Sequence, residues 1–388
     1  MDRVLKKTKG DFMSEKKNKR GNDPSTTTKL ILFAKSGGRC QFEGCNENLL
    51  RDNVTLRELN NSNIAHIVAS SSNGPRGADN SQELSTDIDN LMLLCKTHHK
   101  LVDDNPEEYT VESLKKMKLN QEEKVKELLD AMYYPESLII MVEIPIKNTI
   151  PVQIDHKQTI QALRASGHNP YRDSQINFSF SSNSKYKDRQ YWKEAEEQLN
   201  CLIDIQLNCL LKYNPKLVLA VFPIAPIPLI MKLGYKLGDK RKILVFQKYR
   251  EPDTWEWLFD SQTNSFLYEK IKRGNGTKVA VIVSVTSEID LSRVMAIDDF
   301  DTIYHLKAKD CGINAIKSKE DLRCFWKQYQ ELLDNIKNND HVEDVSLFPA
   351  VPVSAAYEMG RRYMPHAYPK IRVYDECDGF FETITIGD

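Results

Sequence analysis

Two pairs of closely spaced metal-type ligands constrain the fold of the first third of this chain more than any other feature. Cys40-x4-Cys45 forms one pair and Cys95-x2-His98 forms the other. Two such knuckles bring two ligands each to one ion, and thiolate and imidazole ligands suit tetrahedral zinc. The segment is rich in turn residues and poor in apolar ones, so it needs a staple to hold its shape. The pattern predicts a closed structural zinc site, which does no chemistry itself.

Charge excludes a general attraction to nucleic acid. The 388 residues carry 54 Lys and Arg against 55 Asp and Glu, a net charge of −1, so any DNA contact must come from a local patch. Residues 1–29 hold nine basic and four acidic side chains, which leaves a net charge of −6 for the rest of the chain. We interpret this segment as a mobile arm that is either simply solvated or contacts phosphates without sequence preference.

Composition and hydropathy predict a cytoplasmic protein without a membrane segment. The longest apolar run, residues 217–231, contains three prolines and is shorter than the ~20 apolar residues that a spanning helix needs. The N-terminus is polar and lacks the apolar core of a signal sequence. Eight cysteines in a chain of this length are too dilute for a disulfide scaffold.

Hydrophobic patterning divides the chain into an arm, a small domain, a connecting helix and a larger α/β domain. Residues 111–133 have roughly helical apolar spacing, and after Pro135 strand-like runs alternate with helical ones. Such alternation predicts a mostly parallel α/β domain. The predicted boundaries are residues 1–29, 30–105, 106–136 and 137–388.

The larger domain contains an internal repeat. The motif Phe222-Pro223-x2-Pro226 recurs as Phe348-Pro349-x2-Pro352, and Gly234 recurs as Gly360, each with an offset of 126 residues. Both copies are predicted to run strand, Phe-Pro turn, helix and second strand, and proline suits the first turn of a helix. The repeat predicts two similar halves with a crevice between them, suited to a roughly twofold-symmetric ligand.

The small domain resembles the HNH endonucleases, the ββα-metal nucleases, over residues 30–105. The resemblance rests on a set of motifs: Cys40, Cys45, Ala65-His66-Ile67, Gly74-Pro75-Arg76-Gly77, Asn90-Leu91, Leu94-Cys95 and His98-His99. It implies an α+β domain in which a β-hairpin carries His66 and the following helix carries His99, with one divalent metal between them.

The chemistry of phosphodiester hydrolysis is consistent with that resemblance. His66 could take a proton from the attacking water, and His99 would bind Mg2+ or another hard divalent ion. Asp103, one helical turn after His99, could share the metal or orient the imidazole, and Asn90 would brace the hairpin. Arg76 and Lys100 are candidate DNA-phosphate contacts. One departure stands out: many family members carry an acidic residue before the first histidine, where this chain has Ala65.

The larger domain resembles a SAVED domain over residues 137–388. The segments that carry the resemblance are 222–228, 247–257 and 347–356. The resemblance implies two fused CARF-like (Rossmann-like) halves. The joined architecture resembles the HNH–SAVED effectors of CBASS anti-phage defence. It implies that a cyclic di- or trinucleotide from a cGAS-like cyclase drives assembly into a homo-oligomer, between a dimer and a tetramer in size. That oligomer would degrade double-stranded DNA with low sequence specificity in abortive infection.

Candidate ligand contacts follow on that interpretation. Cationic side chains would meet phosphates, aromatic rings would stack on bases, and a helix start would favour an anion. The residues are Lys248, Arg250 and Lys307 for phosphates, Tyr249, Trp255 and Tyr357 for bases, and Ser354 at the helix start.

Two other functions remain open on the sequence alone. One is a restriction-type HNH endonuclease whose C-terminal domain reads DNA sequence or modification. The other is a zinc-stapled module that binds DNA without cutting it.

Overall fold

A computed structural model describes residues 20–52, 54–147, 151–274, 276–338 and 341–387, with the side chain of residue 173 also left aside. The chain forms two compact units, the first ending at Met132 and the second beginning at Tyr133. Most of the predicted arm, residues 1–19, lies outside the described residues. Across the described ranges, no helix combines the length and apolarity needed to cross a membrane.

The first unit is built on a two-stranded sheet followed directly by a helix. Strands β1 and β2 pair antiparallel, with His66 opposite Leu91 and Ser62 opposite Cys95. The elements are α1 (Thr26–Ser36), β1 (Ser62–His66), α2 (Ser81–Leu84), β2 (Leu91–Cys95), α3 (Lys96–Asp104) and α4 (Val111–Asp130). Because α3 begins where β2 ends, Cys95 belongs to the junction of strand and helix.

The helices of this unit begin and end as their sequences dictate. The Ser25 hydroxyl accepts a hydrogen bond from the Thr28 amide at the start of α1, and Gly37 ends that helix in the left-handed conformation. The capping residues at both ends therefore set the bounds of α1. The predicted connecting helix corresponds to α4, which buries Leu114. The Gln121 side-chain amide of α4 donates to the Ser36 carbonyl at the end of α1, at 2.8 Å. Thus α4 packs within the first unit.

The second unit contains two sheets with helices between and around the strands. Its first half comprises β3 (Glu136–Glu143), α5 (His156–Ala165), β4 (Asn169–Ser179), α6 (Arg189–Cys201), a π-helical stretch (Leu202–Leu207), α7 (Asn208–Tyr213), β5 (Val218–Ile224), α8 (Ile227–Leu237) and β6 (Ile243–Val245). Its second half comprises β7 (Phe266–Lys272), β8 (Val279–Ser284), α9 (Leu291–Met295), β9 (Thr302–Ala308), α10 (Lys319–Asn338), β10 (Asp344–Ala350), α11 (Val353–Arg361), β11 (Lys370–Glu376) and β12 (Phe380–Ile386).

Both sheets are mainly parallel, which confirms the predicted α/β class. The first has the strand order β4-β3-β5-β6, and its pairs are all parallel. The second has the order β12-β11-β10-β8-β9-β7, with antiparallel pairs only at its two edges. Successive residues of β3 pack into two different hydrophobic clusters: Ile140 belongs to one and Ile139 belongs to the other. This sheet is therefore covered on both faces.

The internal repeat is confirmed as two strand–helix–strand units, β5-α8-β6 and β10-α11-β11. In each unit the phenylalanine of the Phe-Pro motif is fully buried. It packs against an aromatic ring in or just after the second strand of that unit. Phe222 stacks on Phe246 with ring centroids 4.2 Å apart, and Phe348 stacks on Tyr374 at 4.5 Å. The repeated sequence therefore specifies the same local packing twice.

The two repeats meet where α8 crosses α11, and both repeated glycines lie at this crossing. A Cβ atom on Gly234 would lie 2.3 Å from the Tyr357 carbonyl oxygen, and one on Gly360 would lie 1.8 Å from the Met231 carbonyl oxygen. Each glycine therefore lets one helix backbone approach the other more closely than any side chain permits.

Replacing Gly360 with alanine tests whether this close approach holds the halves together. Overpacking against backbone typically costs about 1–3 kcal/mol, and we expect Gly360→Ala to lower the free energy of unfolding by about that amount. Urea unfolding followed by tryptophan fluorescence reports on this unit, because all four tryptophans lie between residues 133 and 388. Gly312→Ala is the control, since no atom lies within 4 Å of its added Cβ. Equal stability of the two variants would contradict the account.

Candidate functional site

Four potential metal ligands converge in the first unit. The ligand atoms of Cys40, Cys45, Cys95 and His98 all lie within 4.8 Å of one another. Cys95 precedes the first turn of α3, and its Sγ lies 3.1 Å from Nδ1 of His98. The two residues of the second pair are thus brought together by the helix itself, while the first pair arrives from the loop after α1.

The surroundings of this cluster favour a bound cation. Cys40 is fully buried, and burial raises the pKa of its thiol to about 12, so the thiolate needs a nearby positive charge. The Cys95 amide donates to Sγ of Cys40 at 3.3 Å, and the ring of Phe42 stacks on that of His98 at 4.1 Å. Three sulfurs and one imidazole nitrogen are a donor set that fits tetrahedral zinc.

A cleft of about 780 Å3 opens beside this cluster. Its lining includes His66 from the end of β1, and His99 and Asp103 from α3. The strand pairing and the Cys95 junction set the positions of these elements, so the two histidines predicted from sequence face one cavity.

The His66 ring has a defined orientation and a defined proton. Its Nε2 lies 3.0 Å from the Ser85 carbonyl oxygen. Because a carbonyl oxygen can only accept, Nε2 carries a hydrogen, and in the neutral ring Nδ1 is left as the acceptor. The imidazole is therefore arranged to take a proton through Nδ1.

Asn90 is buried, and its side chain holds the backbone just after His66 and just before Ser85. Its side-chain oxygen accepts from the Val68 amide at 2.7 Å, and its amide group donates to the carbonyls of Val68 at 2.8 Å and Leu84 at 3.1 Å. Val68 follows His66 by two residues and Leu84 precedes Ser85. One amide thus fixes the strand end that carries His66 and the segment whose carbonyl orients its ring.

His99 and Asp103 are neighbours on α3. His99 Nε2 lies 3.8 Å from one Asp103 oxygen, and both side chains are about one third exposed. The other Asp103 oxygen receives a hydrogen bond from Arg76 at 3.0 Å. An imidazole nitrogen and a carboxylate at the edge of an open cleft fit a hard divalent cation that keeps several water ligands.

The structure argues against the predicted DNA contact of Arg76 and leaves that of Lys100 untested. The Arg76 side chain is only 4% exposed and is engaged with Asp103 and two backbone carbonyls, so it is not free to meet a phosphate. Lys100 lies outside the lining of the cleft and forms an ion pair with Asp104 one turn along α3.

Ala65 occupies a different face of β1 from His66. It is buried in the hydrophobic core, whereas Ile64 and His66 line the cleft. Since side chains alternate along a strand, a carboxylate in place of Ala65 would enter the core.

Sequence analysis missed three charged residues of the cleft. Arg20, Asp23 and Lys29 line it from the segment that had been assigned to the arm. This segment is packed: the Gly21 amide donates to the Ser70 carbonyl at 2.8 Å, and a Cβ on Gly21 would lie 2.3 Å from the Ser85 hydroxyl. The N-capping residue Ser25 could have indicated that a helix begins before residue 30.

Four of the seven predicted ligand contacts in the second unit are wrong, because they lie in the interior. Tyr249, Trp255, Ser354 and Tyr357 are each 0% exposed. The Ser354 amide and hydroxyl both donate to the side-chain oxygen of Gln247, at 3.2 and 2.7 Å, so the start of α11 is already capped. The aromatic residues pack for stability and are not available to stack on a base.

The three predicted cations are nearer the surface. Arg250 is exposed, while Lys248 is bound to Asp253 and to the side-chain oxygen of Gln158 at 2.8 Å. Lys307 pairs with Glu269 at 3.0 Å and is half exposed. These contacts leave their predicted role in ligand binding untested.

A groove that sequence analysis missed lies on the second unit. It encloses about 300 Å3 and is lined by Trp257, Lys319 and Arg362 among others. An adjoining recess of about 130 Å3 shares Trp257 and Lys319. The indole nitrogen of Trp257 has no hydrogen-bond partner, and the Arg362 guanidinium lies over the Trp326 ring at 5.7 Å.

Residues 203–386 match the SAVED family, described as a SMODS-associated sensor domain that is fused to various effectors. This confirms the SAVED part of the predicted architecture over those residues. No curated protein matches the chain.

Several solved structures of Cap4 SAVED/CARF-domain receptors are similar to this chain. The receptor of Acinetobacter baumannii with the cyclic trinucleotide 2'3'3'-cAAA is 15% identical with a TM-score of 0.43, over 79% of this chain and 66% of that one. Its complex with 3'3'3'-cAAA is 14% identical with a TM-score of 0.41, over 79% of this chain and 66% of that one. The receptor of Moraxella osloensis is 14% identical with a TM-score of 0.39, over 75% of this chain and 60% of that one. The chain spans slightly less than two thirds of the length of these receptors.

Removing one ligand of the Cys/His cluster tests its structural role. We expect Cys95→Ala to lose tightly bound zinc and to unfold the first unit, because zinc binding of this type supplies on the order of 10 kcal/mol. Zinc analysis and far-UV circular dichroism measure the loss, while tryptophan fluorescence should show the second unit still folded. Cys377→Ala, at a cysteine outside the cluster, should keep both zinc and structure. A folded first unit in zinc-free Cys95→Ala would refute the staple.

Proposed function

We propose that this protein is an HNH-type, metal-dependent endonuclease acting on double-stranded DNA, switched on by a cyclic oligonucleotide that binds its second unit. The observation that carries the nuclease is the single cleft shared by His66, His99 and Asp103. Four residues, Cys40, Cys45, Cys95 and His98, hold a structural zinc ion beside it.

His66 acts as the general base. Its Nε2 proton is held on the Ser85 carbonyl, so Nδ1 accepts the proton of a water that attacks the scissile phosphorus. Asn90 keeps the strand end and the Ser85 segment in fixed register, which preserves the direction of the ring. Such fixed geometry matters because proton transfer requires hydrogen-bond reach.

His99 and Asp103 hold the catalytic divalent ion. When bound, that ion supplies Lewis-acid stabilisation of the phosphate and of the leaving oxygen. With Ala65 in the core, β1 would offer that ion no carboxylate from this position, so His99 and Asp103 would be its protein ligands and the ion would keep several waters. Magnesium suits such a sparse oxygen-rich set.

Two cationic side chains in the lining of the cleft favour a phosphate substrate. Arg20 and Lys29 line the cleft, and no ion pair or hydrogen bond engages either side chain within the described residues. Cationic side chains attract the DNA phosphates and make no contact that depends on the bases, which supports low sequence specificity. These two cations take the phosphate-binding role that was predicted for Arg76.

The sensing half rests on the match of residues 203–386 to a family of effector-fused sensor domains. The groove is lined by the ring of Trp257 and by the cations Lys319 and Arg362, of which Arg362 is paired with Glu358. Aromatic rings can stack on the bases of a cyclic di- or trinucleotide, and cationic side chains can pair with its phosphates. This groove is one candidate contact surface for the activator, and we infer that activator binding drives self-association in bacterial anti-phage defence.

Substituting His66 tests the proposed chemistry. Loss of a general base lowers the rate by ~10^2–10^4-fold, so His66→Ala should cut plasmid DNA at least a hundredfold more slowly than the wild type, in the presence of Mg2+ and activator. Zinc content and unfolding should be unchanged, because His66 lies outside the zinc cluster. His366→Ala, at an exposed histidine of the second unit, is the matched control and should cut normally. Undiminished cleavage by His66→Ala would exclude it as the base.

A further inference from the structure

We propose that Arg76 is a positioning residue that sets the geometry between His66 and His99, and that it does not contact DNA. This inference deepens the proposed function and rests on it. It concerns a residue whose sequence context suggested phosphate binding, but whose guanidinium is directed into the protein.

Three bonds from one guanidinium join the elements that carry the two histidines. Nε donates to the carbonyl of Ile67 at 2.8 Å, directly after His66. Nη1 donates to the carbonyl of Val102 on α3 at 2.5 Å, and Nη2 donates to Asp103 at 3.0 Å. The end of β1, helix α3 and the carboxylate beside His99 are therefore held by a single side chain.

Burial makes these bonds obligatory. The side chain of Arg76 is 4% exposed, and a buried charge without partners is strongly unfavourable. The backbone of Arg76 is itself in the left-handed region, at a φ of +56°, which a residue with a side chain seldom adopts. The turn therefore adopts an unfavourable backbone conformation at the residue whose guanidinium makes these three hydrogen bonds.

The effect on His99 runs through Asp103. One Asp103 oxygen is fixed by Arg76, and the other lies 3.8 Å from Nε2 of His99. A carboxylate held in this way can orient an imidazole or share its cation, and partners of this kind typically change metal affinity 10–100-fold. Lysine cannot substitute, because a point charge lacks the planar fork that reaches three acceptors at once.

Mn2+ titration of the full-length, zinc-loaded chain tests the inference without DNA or activator. Isothermal calorimetry compares the wild type with Arg76→Lys, Asp103→Asn, the double variant and His99→Ala. We expect Mn2+ binding to depend on His99 and to weaken about 10–100-fold in Arg76→Lys. The double variant should bind no more weakly than Asp103→Asn, since both changes act through the same carboxylate. Arg39→Lys, at an exposed arginine bonded to the Asn46 carbonyl, should bind as the wild type does.

The outcomes separate this inference from the proposed function. Wild-type Mn2+ affinity in Arg76→Lys, or full additivity with Asp103→Asn, would overturn the positioning role alone. No His99-dependent binding in the wild type would overturn the proposed metal site as well. Arg76→Gln is prepared in parallel, and whichever variant retains zinc carries the test. If neither retains zinc, Arg76 serves the fold as a whole and the inference fails.

Discussion

The convergence of three thiols and one imidazole is the interaction on which the candidate catalytic site depends. Cys95 ends β2 and precedes α3, so fixing its sulfur fixes the direction in which α3 leaves the sheet. His99 and Asp103 lie on that helix, and β2 in turn sets the register of the strand that carries His66. The Cys/His cluster, which is not itself catalytic, thereby determines the positions of the proposed catalytic side chains. The hydrogen bonds of Asn90 and Arg76 refine an arrangement that the cluster establishes.

Features set by local sequence were predictable. Ligand spacing identified the cluster of Cys40, Cys45, Cys95 and His98, because short knuckles force their own ligands together. The repeated Phe-Pro motif identified the two halves of the second unit, since proline and a buried aromatic ring impose the same strand-to-helix turn twice. The repeated glycines marked a helix crossing, although the sequence could not say which backbone each one approaches.

Features set by tertiary packing were not predictable. Trp255 and Tyr357 have the chemistry of base-stacking residues, and only burial shows that they belong to the core. Arg76 has the chemistry of a phosphate contact, and only its bonds to the carbonyls of Ile67 and Val102 show otherwise. Residue type states what a side chain can do, and packing decides whether solvent or substrate reaches it.

Cleavage of plasmid DNA by the purified chain with Mg2+, assayed with and without each member of a panel of cyclic di- and trinucleotides, tests the central claim most directly. We predict slow cleavage without nucleotide and rapid cleavage with at least one member of the panel, accompanied by self-association. Cleavage that is the same with every nucleotide and with none would contradict the account. That result would favour a restriction-type endonuclease whose second unit reads DNA.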